Sequence, residues 1–413
     1  IQKYLGKNIL VRASNGHVQD LPNKGKDGSK ALWKHTESAL PDPPWSWTER
    51  AEKNVKKILS DARSKKVKRV LIATDPDREG EFIAWRLSEL FSEFEEIKRI
   101  TFNEITKTAI RDALDEAGSV DMNLVDAAKV RRFMDRLIGY RASRFARSWS
   151  LSSMGRVQTP ALAFIVNKEK DIQKFVATPY WAVQAIASGI DFRVRFHDRD
   201  DPLVWKDEKG KSDTHRTNST DLAQKVFDSL NFEKQIIISK ISLNTYKRRP
   251  KPPFTTDTLL QAAGSKYSWR PSNTMRVAQG LYEAGHITYM RTDSTRTSAS
   301  SREKAHEKII SKWGEELLGK GVVGGKPKSG IQDAHEAIRP TDPLIDLPGG
   351  LDESQVRLYR LIWSRFIASQ MIDSEWTSMK LIANLETFER PLDGDTKWRV
   401  TPGWESAFEA IQK

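Results

Sequence analysis

Val70-Leu71-Ile72-Ala73-Thr74-Asp75-Pro76-Asp77-Arg78-Glu79-Gly80-Glu81 decides the fold. Residues 70–74 form a short continuous apolar run, the pattern of a strand buried on both faces. A helix is predicted from about Glu79 to Phe91. Arg99-Ile100-Thr101-Phe102 reads as the next strand and Thr106 to Ala117 as the next helix. Strand, helix, strand, helix is α/β with a parallel sheet. Ligands bind such sheets at the carboxyl ends of the strands, where this acidic stretch lies. Asp75, Asp77 and Glu79 stand at i, i+2 and i+4, so an extended backbone would point all three the same way. Three adjacent carboxylates repel unless a cation or proton compensates, and oxygen-only ligands at that density suit Mg²⁺. Taken alone, such a stretch is more often a solvated acidic turn at a helix amino terminus, where negative charge is favourable, and its place between strand and helix is what points to a metal.

Downstream, Asn123 to Lys174 is mostly helical, and it holds the most specific charge in the chain. Residues 131–147 carry six arginines (Arg131, Arg132, Arg136, Arg141, Arg144, Arg147), no lysine and one acid, Asp135. Spacings of three and four place them in stripes on a helix. Phe133, Met134, Leu137 and Ile138 are expected to be its buried face. The planar guanidinium matches phosphate oxygens in a fork, so repeated arginine points to phosphate recognition. A second basic block, residues 53–69, mixes lysines with arginines and reads as a solvated helix face.

The whole chain has 413 residues, 68 Lys+Arg against 55 Asp+Glu, and a formal charge of +13, which points to a polyanion partner. At about 100–200 residues per domain, this length means two to four domains. The 13 Trp and 16 Phe supply real cores and exclude wholesale disorder. Zero cysteines exclude disulfides, thiolate nucleophiles and cysteine metal sites within these residues. No apolar run reaches the roughly 20 residues of a membrane span, and the start is no signal peptide.

Further along, Trp181 to about Leu243 turns to strands, with a polar loop at 206–220 and a helix near 220–230. Residues 22–50 read as an irregular insertion and 319–330 as a flexible loop. Lys247-Arg248-Arg249-Pro250-Lys251-Pro252-Pro253 marks a boundary, a helical domain follows to about residue 375, and strand-like alternation returns after it. Within the helical domain, one helix is capped near Thr256 or Asp257, and a second opens at Pro271 and ends at Gly285. Two short helices and an extended segment suggest a helix-turn-helix or winged-helix unit. His286 to Asp293 alternates as a strand would, which places Tyr289 and Arg291 on one face. A phenol becomes a usable nucleophile when a cation favours the phenolate, and Arg291 stands where it can do that. Without context, a strand tyrosine is a packing residue.

Taken together, these segments resemble the type IA DNA topoisomerases. The resemblance rests on SNGHVQDLP (14–22), ATDPDREGEFIAW (73–85), FNEIT (102–106), RRFMDRLIGY (131–140) and GRVQTPAL (155–162). It continues in KPPFTTDTLLQAA (251–263), LYEAGHITYMRTDSTR (281–296) and AHEAIRPTD (334–342), in family order over nearly the whole chain. The form YMRTDS is closer to topoisomerase I members than to topoisomerase III.

The resemblance implies a multidomain α/β plus α+β protein whose domains form a toroid. It places a Toprim domain at 1–120, a helical strand-binding domain at 121–178 and a β-rich gate at 179–250. A winged-helix-like tyrosine domain follows at 251–375, with a return to the gate at 376–413. It implies ATP-independent cleavage of one DNA strand through a 5′-phosphotyrosyl bond, strand passage and religation, relaxing negatively supercoiled DNA. Tyr289 would be the nucleophile, with Arg291, His335 and Arg78 as its catalytic company and Asp75, Asp77 and Glu79 as the Mg²⁺ ligands. Arg131, Arg132, Asp135, Arg136, Arg156, Gln158 and His17 match the positions that hold the single strand, although His17 reads equally as a structural hydrogen bonder. The expected partner is DNA and no membrane, for a monomer in the cytoplasm at the nucleoid.

Two departures accompany the resemblance. The family's first strand, with its glutamate and the lysine behind it, has no counterpart before Ile1, and the match stops near residue 408 without the later glycine-arginine-proline-serine-threonine segment or zinc ribbons. The expectation is therefore a core from a longer protein, with a catalytically impaired DNA-binding fragment or relic as the alternative. No GxxxxGK[ST] is present, since Gly324-Gly325-Lys326-Pro327 fails in spacing and last residue, and His335-Glu336 lacks the second histidine of a zinc hydrolase. A different Toprim enzyme, such as a primase or nuclease, would leave 251–296 and 334–342 without explanation.

Overall fold

The computed structural model describes residues 1–6, 8–22, 45–49, 51–322 and 336–410. They divide into two compact units. The first joins residues 1–165, 253–304 and 323–366, and the second joins 166–252, 305–322 and 367–413. The break at Pro252/Pro253 falls inside the proline-rich segment.

In the first unit, β1 (Gln19–Asp20) pairs with β2 (Ser46–Trp47), and α1 (Ala51–Ser64) leads to β3 (Arg69–Ile72). Then come α2 (Arg78–Leu90), β4 (Glu96–Arg99) and α3 (Lys107–Asp115). β3 and β4 are parallel, with Arg69 opposite Glu96 and Ile72 opposite Arg99, and α2 is their crossover. The α/β reading is correct, but the second strand lies earlier than residues 99–102. Val18, Val55, Ile72, Ala84, Leu87 and Phe91 form the core beneath this layer. α2 is apolar on its other side as well, where Phe82 and Trp85 pack on Val125 and Ala128.

Those last two residues belong to α4 (Met122–Ser148), the arginine helix. Asp121 caps it, its carboxylate accepting from the backbone N–H of Asn123 at 2.9 Å. Phe133 is buried as expected, but Met134 and Ile138 are exposed, correcting the apolar face assigned to them. The buried stripe runs instead through Val125, Ala128, Lys129 and Phe133, set by contact with α2. The helix α5 (Gln158–Gln173) follows.

The second unit is built on one antiparallel sheet. Its strands are β5 (Gln184–Ala187), β6 (Ile190–Val194), β9 (Ile237–Arg248), β10 (Ser374–Asn384) and β11 (Leu392–Thr401), in the order β5-β6-β11-β10-β9. A separate two-stranded ribbon joins β7 (Trp205–Lys206) to β8 (Ser212–Asp213). Stretches near residues 184–248 and 374–401 thus share a sheet. The helix α6 (Thr220–Glu233) places Ala223 and Val226 against Phe192, Val194, Leu381 and Leu392. Gly394 sits opposite Phe192, and a Cβ there would lie 2.6 Å from the ring, so glycine lets the aromatic cover the sheet.

The tyrosine segment belongs to the first unit. α7 (Thr256–Tyr267) opens with a Thr255/Thr258 capping box, and α8 (Pro271–Glu283) opens with Pro271 in its first turn. Residues 286–293 are not a strand, which corrects the reading of their alternation. Thr288 N–H goes to the Arg339 carbonyl at 2.9 Å and Tyr289 N–H to the Asn103 carbonyl at 2.8 Å. Successive backbone groups serve different neighbours, so no ladder forms, although Ile287 makes a single bridge to Pro340.

Candidate active site

The acidic turn owes its shape to three local causes. Asp77 is the N-cap of α2, accepting from Gly80 N–H at 2.7 Å, so Glu79 lies in the helix and not on an extended segment. Gly80 is pressed on Asp75, whose carbonyl oxygen would be 2.0 Å from a Cβ there. Beneath them runs Arg99, 3% exposed and paired at 2.9 Å with Glu81, 5% exposed. The Arg99 guanidinium also donates to the carbonyls of Thr74 at 2.8 Å and Asp75 at 2.9 Å. Glu81 in turn accepts from Asp121 N–H at 2.8 Å, tying the start of α4 to the same clamp.

Tyr289 reaches this turn from the other part of the unit. Its hydroxyl donates to Asp77 Oδ2 at 2.7 Å, and Arg291 donates to the same oxygen at 3.3 Å. Tyr289 is 2% exposed, whereas the Arg291 side chain is 55% exposed. Burial, then the charges of Asp77 and Asp75, push the phenol well above its ordinary value, and Arg291 offsets only part of this. The phenol therefore rests protonated, and the arginine alone does not make a phenolate.

The three acids do not converge. Glu79 turns to His17 Nε2 at 3.2 Å and Arg132 at 2.7 Å. The His17 hydrogen bond and the Arg132 charge draw its carboxyl down to about 2. Asp75 behaves oppositely: burial and neighbouring Asp77 raise it. A destabilised Asp75 carboxylate beside Asp77 fits a divalent cation that takes one or two carboxylates and completes its shell with water and phosphate oxygens. Glu79 as placed does not fit that set, and among the described residues no three acidic or histidine side chains converge as a metal cage. The i, i+2, i+4 argument fails because the helix begins at Arg78.

Of the other expected residues, Arg78 is exposed at the start of α2. Arg132 bridges Asp20 at 2.7 Å and Glu79, and its guanidinium lies 4.4 Å from the Phe82 ring centre. Arg136 donates to the carbonyls of Pro22 and Leu21. Asp135 holds Arg156 at 2.9 Å and lies 3.9 Å from Arg131, while Gln158 bonds Ser153. His335 lies outside the described residues. Sequence reasoning missed Arg99, Glu81, Asn103 and Arg339. The segment FNEIT gave a signal without a role: Asn103 receives Tyr289 N–H, Glu104 pairs with Arg339 at 3.1 Å, and Ile105 O closes on Gly285, whose φ is +81°.

The site thus joins a buried tyrosine and an exposed arginine to one aspartate oxygen of the acidic turn. A DNA topoisomerase family profile matches residues 119–413, and a Toprim domain profile matches residues 1–105. The structure is similar to full-length topoisomerase I from Thermotoga maritima in a monoclinic crystal form, with 29% identity and a TM-score of 0.79 over 99% of this chain. The chain belongs to the type IA DNA topoisomerase family. It spans 65% of the length of the Thermotoga protein. Among the described residues, no helix is long and apolar enough to cross a membrane.

Proposed function

We propose that this chain carries the cleavage centre of a topoisomerase that breaks and rejoins one strand of negatively supercoiled DNA without ATP. The carrying observation is the 2.7 Å hydrogen bond from Tyr289 to Asp77. Tyr289 Oη attacks the phosphorus, the Oη–P bond forms and the P–O3′ bond breaks. The phenolic proton passes to Asp77, and the departing 3′-oxygen ends as a hydroxyl after taking up a proton. The ester energy stays in the 5′-phosphotyrosyl bond, so reversal by that 3′-hydroxyl needs no nucleotide. Arg291, exposed beside the same oxygen, neutralises the phosphate under attack. Asp75 and Asp77 are the residues to hold Mg²⁺, which when bound supplies positive charge at the phosphate oxygens. Arg131, Arg132 and Arg156 face the single-stranded segment, and Arg136 orders the 21–22 backbone beside it.

The test is a denaturing gel with a 3′-end-labelled single-stranded oligonucleotide. A labelled covalent adduct that forms with the wild-type chain and is lost in Tyr289→Phe supports the proposal. Cut product without adduct, unchanged in Tyr289→Phe, would instead identify a nuclease.

A further inference from the structure

Glu79 stands between two sites and serves only one of them in this structure. Its Oε2 takes a hydrogen bond from Arg132 at 2.7 Å and lies 3.2 Å from His17 Nε2, on the side of α2 that faces α4. Two residues earlier in the chain, Asp77 caps the same helix beside Asp75. Arg132 is occupied in turn: one terminal nitrogen meets Asp20 at 2.7 Å, the other meets Glu79, and Phe82 backs the guanidinium. Its Nε is buried without a hydrogen-bond partner. Two carboxylates therefore sit where an arginine fork would take phosphate oxygens.

We propose that Glu79 couples strand binding to the cation site: a DNA phosphate displaces it from Arg132, and the freed carboxylate joins Asp75 and Asp77. The coupling rests on the reading that single-stranded DNA and a divalent cation are the ligands of this unit. Both events compete for one carboxylate. Without DNA, turning Glu79 toward the cation would strip Arg132 and His17 of a partner, so the cation is held weakly by two acids. A phosphate on Arg132 removes the arginine's share of that cost. Linkage requires the reverse as well, with the cation tightening the hold on the strand by the same factor. The arrangement prevents a fully charged cation site from assembling before a strand is in place.

The coupling is measured as Mn²⁺ binding by electron paramagnetic resonance in Tyr289→Phe protein, with and without a short single-stranded oligonucleotide. The expected result is Mn²⁺ affinity roughly tenfold higher with the oligonucleotide, within the usual range of coupling between two sites. Adding Glu79→Gln should remove the increase, which also controls for Mn²⁺ held by the oligonucleotide itself. Adding Arg132→Gln should give tight Mn²⁺ binding with no oligonucleotide. Arg132→Lys, which keeps the charge without the fork, should fall between and guards against a misfolded Arg132→Gln. Equal Mn²⁺ affinity in the two states, with oligonucleotide binding verified by anisotropy, overturns the coupling and leaves the cleavage reading standing. Absence of Mn²⁺ binding in both states overturns the cation site itself, while the adduct gel tests the tyrosine separately.

Discussion

Tyr289 and Asp77, 212 residues apart in sequence, share a 2.7 Å hydrogen bond, the phenol donating and the carboxylate accepting. The same carboxylate caps α2 through Gly80 N–H, so one side chain fixes both the helix start and the tyrosine. Asp77→Asn separates the two roles, because asparagine caps a helix about as well as aspartate. It should unfold near the wild-type temperature while forming covalent adduct at least about a hundredfold more slowly, because the variant loses both the proton acceptor and a carboxylate for the cation. Single-turnover adduct formation beside thermal melting checks both halves.

Asp75 carries the opposite penalty. Burial and Asp77 raise it, so its ionised form opposes folding. As pH rises past the ordinary aspartate value, the unfolded chain releases this proton first, and stability falls. Asp75→Asn should therefore melt at a higher temperature than wild type at neutral pH, and no higher below pH 4. Loss of cation binding in the same variant would mark a stability penalty retained for function. Melting curves at pH 3.5 and 7, with a Mn²⁺ titration, measure this.

Gly80 has no room for a methyl group, since a Cβ would lie 2.0 Å from the Asp75 carbonyl oxygen. Gly80→Ala cannot be relieved by a rotamer change, because the obstacle is backbone. It should cost about 1–3 kcal/mol, the range for overpacking, and displace the acidic turn. Denaturant unfolding gives the first quantity and adduct yield reports the second. An unchanged midpoint would show that the turn relaxes freely.

Much of the first unit was legible because its signals are local. The apolar run at 70–74, the acids after it and the arginine spacing at 131–147 each span fewer than about 20 residues, within reach of periodicity. Tyr289 and Arg291 were legible as a pair, but their shared partner Asp77 was not, since a long-range contact leaves no trace in spacing. The alternation at 286–293 misled because it mimics a strand while its N–H groups go to Asn103 and Arg339. Glu79 misled because the i, i+2, i+4 rule assumes extended backbone, and the Asp77 cap starts a helix first. Arg99 and Glu81 were invisible because charged residues are expected outside, and only the fold shows that they pair beneath the acidic turn.

That buried pair yields the largest expected effect on stability. Arg99 satisfies Glu81 and the carbonyls of Thr74 and Asp75 just beyond the end of β3. Arg99→Met leaves Glu81 buried beside orphaned carbonyls, and Glu81→Gln leaves the guanidinium facing a neutral amide. Removing one partner of a buried pair costs about 3–5 kcal/mol, more than either charge contributes on the surface. Arg99→Met with Glu81→Leu removes both charges, so it should recover part of that loss in urea unfolding. It should not recover adduct formation, because no apolar side chain donates to the Asp75 carbonyl and the acidic turn loses its anchor. Stability that rises while activity stays low would separate the pair's two effects, and full recovery of both would show that the clamp only fills space.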